Sequence, residues 1–151
     1  MTVRTWFEEL DAKRTLMLAL GPGAAVLGGD AAIAHFAGRE MAHPAQLLPV
    51  TLGPVACAIL LAAAGPRLQE TWFRRGVQLA GALLAALGTA GTAFHGRALL
   101  RLLEGAPLTW ANLTTALACA PPIFAPGAFI LLGALVLAAG NPRVHIELQP
   151  A

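Results

Sequence analysis

Hydrophobic and polar positions along the chain separate into four long apolar runs joined by short charged connectors. The runs cover about 15–37, 45–64, 77–100 and 112–139, and each reaches the roughly 20 residues a helix needs to cross a bilayer. The connectors GREMAHP, GPRLQETWFRRG and RLLEGAPLTW hold most of the charge and the turn residues. This pattern predicts an all-α integral membrane protein built as a four-transmembrane-helix bundle. No segment is left over for a soluble domain, so residues 1–151 read as a single membrane domain. Ahead of the first run, Val3, Trp6, Phe7 and Leu10 recur at i, i+3, i+4 and i+7. That spacing predicts a short amphipathic helix lying in the membrane interface.

Composition strengthens the assignment. The chain is 57% hydrophobic and 12% charged, where soluble domains carry about a quarter charged residues. Its richness in Ala, Leu and Gly suits close helix packing in lipid. A net charge of +2 with no dense basic run excludes nucleic acid as a partner. Cys57 and Cys119 lie in apolar runs without CxxC or Cys/His spacing, so both are expected to be small buried hydrophobes.

Basic residues set the orientation. Arg4, Lys13, Arg14, Arg67, Arg74, Arg75 and Arg143 fall on one side of the predicted spans, and Arg39, Arg97 and Arg101 on the other. Seven against three places both termini in the cytoplasm, with a bacterial cytoplasmic membrane as the expected setting. The first run is too long for a signal peptide and contains Asp30, and the chain opens on Met1, so an unprocessed N-terminus is expected. Trp6, Trp72 and Trp110 all fall at predicted boundaries, as interfacial anchors do. Pro49 and Pro54 mark the second run, and Pro121, Pro122 and Pro126 the fourth. In ACAPPIFAPGAF the prolines argue against one regular helix. The plainer reading is a bend that shapes the bundle, the sharper one a broken helix lining a cavity. No convincing repeat relates the two halves of the chain, which counts against a transporter.

Ionisable residues inside a bilayer are costly and usually face the bundle interior. Asp30 and His35 are five residues apart, about 140° around the helix and about 7.5 Å along it. Ala31, Ala34, Gly28 and Gly29 make a wide small-residue face that would let both side chains turn toward neighbouring helices. In the third run Gly81, Ala85, Gly88, Thr92 and His95 repeat at spacings of 4, 3, 4 and 3, a close-packing stripe that ends on His95. Runs one and three point the same way. Counted from their midpoints, His35 lies about 13 Å and His95 about 10 Å outward, so they are expected in one layer. Asp30, His35, His95 and Arg97 form this candidate polar layer; Arg39, Glu40, His43 and Asn112 are its peripheral candidates. The outer half thus holds nearly all the polar chemistry.

Three functions are compatible with that asymmetry. The first is a non-catalytic accessory or structural subunit of a larger membrane complex, in which the polar residues hydrogen-bond across helices and the apolar surface meets partner helices or a second copy. The second is a redox subunit, with His35 and His95 as metal ligands or as the axial ligands of haem b and Arg39 and Arg97 near the propionates. The third is a small enzyme or proton-coupled carrier with an outer-half pocket around Asp30. No nucleophile–base motif, phosphate loop or di-iron carboxylate set accompanies the third, and the balance leans away from an enzyme. His145 is expected to be inert and Arg97 to snorkel toward the interface. The NLT at Asn112 matches a glycosylation acceptor but sits at a membrane boundary, where modification is not expected.

Overall fold

The computed structural model describes residues 12–36, 44–65, 69–119, 124–141 and 143. The expected amphipathic helix at Val3–Leu10, together with Arg39, Glu40, His43, Pro121, Pro122 and His145, lies outside the described residues. Among those described, the regular secondary structure is all helical. Helix α1 spans Ala12–Phe36, and a 3-10 turn, Pro44–Gln46, leads into α2, Leu47–Ala63. Helix α3 spans Glu70–Leu103, α4 spans Trp110–Cys119 and α5 spans Phe124–Ala139. Three helical stretches, Ala12–Phe36, Pro44–Ala63 and Glu70–Leu103, are long and apolar enough to cross a membrane.

Two boundaries differ from the hydropathy pattern. Helix α3 begins at Glu70, ahead of the apolar run, because ETWFRRG is polar on one side only and buries Phe73 on the other. The fourth run is described as two helices of 10 and 16 residues, and positions 120–123 between them, with Pro121 and Pro122, lie outside the described residues.

The helices pack in a ring: α1 on α2, α2 on α3, α3 on α5, and α5 back on α1. Alternating spacings of three and four build the core on every member. Buried residues are Arg14, Met17, Gly21, Ala24 and Gly28 on α1, and Gly53, Ala56, Leu60 and Ala63 on α2. Phe73, Val77, Ala80, Leu84 and Leu87 follow on α3, and Phe129, Leu132, Val136 and Ala139 on α5. That alternation is the seam of helices crossing at a shallow angle.

Glycine sets the closest approaches. A Cβ built on Gly53 would lie 2.6 Å from the Ala24 carbonyl oxygen, and one on Gly88 2.5 Å from the Ile130 nitrogen. Gly81 and Gly88 face α5, so the small-residue stripe read from the third run is where that helix docks.

At one end of the bundle the chain begins α1 and finishes α2 and α5. Helix C-termini leave carbonyls unpaired and carry partial negative charge. Two consecutive basic residues answer both. Lys13 Nζ donates to the Asn141 carbonyl beyond α5 at 3.0 Å, and Arg14 donates to the Gly65 carbonyl beyond α2. Arg14 is 6% exposed, and its guanidinium lies 4.9 Å from the centre of the Phe73 ring. One side chain thereby ties together α1, the end of α2 and the start of α3. This will be called the basic end. Arg74, 3.8 Å from Glu70, and Arg75, stacked 5.2 Å over Trp72, lie on the first turns of α3 beside it.

Candidate functional site: a histidine pair across the bundle axis

Core burial stops part-way along the bundle. On α1 it ends at Gly28, and the same spacing continues to Ala31 and His35, both half-buried. On α3 the series Leu84, Gly88, Gly91 and His95 continues in the same way, the last two half-buried. Each histidine therefore occupies the core-facing stripe of its helix, beyond the point where the apolar plug ends. Helices α1 and α3 lie on opposite sides of the ring, each packed on both α2 and α5. A contact between them therefore crosses the bundle axis. His35 and His95 make that contact, with ring centroids 6.4 Å apart and planes 83° from parallel.

The other predicted members of the layer do not join them. Asp30 is exposed, and it points about 150° away from the direction in which the α1 core stripe faces. The small-residue face around it is not wide enough to turn both Asp30 and His35 inward, and the histidine holds the inward position. Asp30 and His35 therefore present to different sides of α1. Arg97 is exposed on α3. Asn112 is engaged in the turn before α4: its Nδ2 donates to the Pro107 carbonyl at 2.8 Å, and its backbone N–H donates to Thr109 Oγ1 at 3.2 Å. Thr109 is thus the N-cap of α4.

Threonine hydroxyls turn back on their own helices. Thr51 donates to Leu47, Thr89 to Ala85, Thr92 to Gly88 and Thr114 to Trp110, each to a carbonyl at 2.8–3.0 Å. None of the four is a nucleophile held by a base. Cysteine burial also departs from expectation. Cys57 is half-buried and Cys119 exposed, because α4 covers little of the core and buries only Ala116. Among the described residues no three His, Cys, Asp or Glu side chains gather into a group that could hold a metal.

Arg14 and Lys13 are the residues whose work the sequence did not reveal. Their position just before an apolar run was the available signal, and it reads as topology alone. Comparison with known proteins gives no further guide: no family model, no curated protein and no solved structure matches the chain.

Proposed function

We propose that this chain is an integral membrane protein serving as a non-catalytic subunit of a larger membrane assembly. It crosses the bilayer four times, with α4 and α5 together as the fourth span, and keeps the basic end and both termini in the cytoplasm. The observation that carries the assembly reading is Asp30. It lies six residues before the end of α1, exposed, between the exposed apolar side chains Val26 and Ile33. An ionised carboxylate facing hydrocarbon costs about 2.5–3.5 kcal/mol at mid-membrane depth. A partner helix that supplies a cation or a hydrogen-bond donor removes that cost. The experiment is the size of the particle purified in mild detergent. Wild type is expected to run larger than one chain with its micelle, and Asp30→Leu to run as a single chain with unchanged helicity. A wild-type protein of single-chain size overturns the reading.

A second reading, a metal- or haem-binding redox subunit, is favoured by the His35–His95 pair. Two imidazoles from different helices meet on the axis at the open end of the core. A metal analysis and an absorption spectrum of the purified protein test it, with His35→Ala and His95→Ala as the controls.

A further inference from the structure

We infer that the outer face of α1 is a docking surface for a second copy of this chain, which seats the outer face of its α3 there. This rests on the assembly reading above and names its partner.

Register comes first. Helices α1 and α3 run the same way on opposite sides of the ring, and two contacts fix their levels. At the basic end Arg14 lies over Phe73, 59 positions on, and at the far end His35 meets His95, 60 positions on. Each residue of α1 is therefore level with the residue about 60 positions later on α3. The outward seam of α1 passes through Ala19, Pro22, Val26, Gly29, Ile33 and Phe36, all exposed, at alternating spacings of three and four. The level positions on α3 form its own outward seam, exposed from Leu79 to Ala93 and half-buried at Gly96. Two copies side by side in one membrane thus present parallel seams in phase, the arrangement in which helices pack layer on layer.

An outward seam at this spacing is common to all helices of a bundle; size sets these two apart. Val26 and Ile33, 70% and 69% exposed, are level with Ala86 and Ala93. Phe36 is level with Gly96 and Pro22 with Ala82, and the order reverses where Ala19 meets Leu79 and Gly29 meets Thr89. In each of the six layers one helix supplies alanine or glycine against a larger side chain of the other. Close packing of that kind joins helices in lipid, where apolarity alone does not. Alanine at Gly29 or Gly96 keeps its layer small on that side, so the fit does not depend on glycine there.

Polar complementarity agrees with the packing. Asp30, beside Gly29, comes to the layer of the neighbour's Thr89. That hydroxyl donates to the Ala85 carbonyl at 2.8 Å, and it can turn its proton to a carboxylate while the carbonyl keeps its helical N–H partner. The exposed carboxylate thereby gains the donor it lacks when it faces hydrocarbon. An α1-on-α1 dimer would set Val26 against Val26 and Asp30 against Asp30, bulk on bulk and charge on like charge. Because α1 and α3 lie on opposite sides of the ring, the contact is head-to-tail, and copies continue into a closed ring or a row.

The test is disulfide trapping in membranes, using the full chain with Cys57→Ala and Cys119→Ala, co-expressed as two differently tagged copies. Val26→Cys in one copy and Ala86→Cys in the other are expected to join on oxidation, because a disulfide needs Cα atoms within about 7 Å. Ile33→Cys and Ala93→Cys are expected to join likewise. Val26→Cys with Ala93→Cys, about 10 Å out of register along the axis, is expected to stay unlinked. Ala93→Leu is expected to abolish the Val26–Ala86 link and to release single chains in the particle-size measurement above. Ile33→Ala added to it is expected to restore both. A particle larger than one chain in which neither level pair joins overturns the second copy and leaves the assembly reading standing. A link between two copies that both carry Val26→Cys and no second cysteine points to α1 on α1 and overturns the α3 contact. A wild type of single-chain size overturns both the docking and the assembly reading.

Discussion

The two ends of this bundle are built on opposite terms. From the basic end to mid-bundle four helices bury a continuous apolar core, with glycines bringing backbones into contact as far along as Gly53 and Gly88, and two cations close the C-termini of α2 and α5. At the histidine end the same helices continue, but their inward stripes are only half-buried, and α4 adds little cover. In the proposed membrane setting no hydrophobic force acts between helices, and stability rests on close packing and satisfied polar groups. Both are concentrated between the basic end and mid-bundle. The histidine end carries little of the stability and is correspondingly free to present chemistry: a histidine pair on the axis and the Asp30 carboxylate on the outer face of α1.

The largest effect that would break this comparison is at Arg14. Removing its side chain leaves the Gly65 carbonyl without its donor, where a hydrogen bond to a charged group contributes about 1.5–3 kcal/mol. It also removes the guanidinium from Phe73, a contact of roughly 0.5–2 kcal/mol. Arg14→Ala is expected to cost about 3 kcal/mol in all, read as a fall in the thermal unfolding midpoint in detergent. His35→Ala at the other end is expected to leave that midpoint nearly unchanged. Equal losses in the two variants would mean that stability is shared along the bundle.

Gly53 and Gly88 come next. A methyl group on either would overlap backbone atoms of the facing helix, at 2.6 Å and 2.5 Å, and backbone has no rotamer with which to give way. Gly53→Ala and Gly88→Ala are each expected to destabilise by about 1–3 kcal/mol, the usual range for overpacking. Measured together, they locate the contact planes: Gly53 reports α2 against α1, and Gly88 reports α3 against α5.

Lys13 sharpens the reading of the basic end at smaller amplitude. Its bond to the Asn141 carbonyl is exposed to solvent. A cation at a helix C-terminus is worth about 0.3–1 kcal/mol at such a site and is screened by salt. Lys13→Ala is expected to lower stability by about 0.5 kcal/mol at low ionic strength, with the difference fading in high salt. A loss as large as that of Arg14→Ala would show that charge alone, not burial, holds this end.

How much of this could be read in advance follows from what each feature depends on. The three long helices were legible as apolar runs because span length is a local property of the chain. The stripe ending in His95 was legible because small residues at spacings of three and four mark one face whatever packs on it. The depth count from the span midpoints put His35 and His95 in one layer, and their rings meet. Asp30 was misplaced by allowing the inward face to widen. Its 140° offset from His35 was already an argument that only one of the two points inward. The Arg14 clamp was illegible for a different reason. It depends on α2 ending beside the start of α1, and on Phe73 lying one turn into a helix whose polar beginning precedes its apolar run. Those are facts about neighbours in space, and hydropathy along one chain does not encode them.

An effect of the opposite sign is the most direct check on the contrast, because it uses the same substitution as one of the larger losses. Gly29 on α1 and Gly96 on α3 are both in helix, as Gly53 and Gly88 are, but a Cβ built on either meets nothing within 4 Å. With no clash to offset it, alanine at a helical position gains from a less flexible unfolded chain and a better helix propensity, about 0.5–1 kcal/mol. Gly29→Ala and Gly96→Ala are therefore expected to be neutral or slightly stabilising, read in the same thermal unfolding assay. The sign is what matters. Destabilisation of the size seen at Gly53 would mean that another surface packs against the histidine end in the assembled particle. Repeating the measurement on single-chain Asp30→Leu would then tell whether that surface belongs to a partner held through Asp30 or to this chain itself.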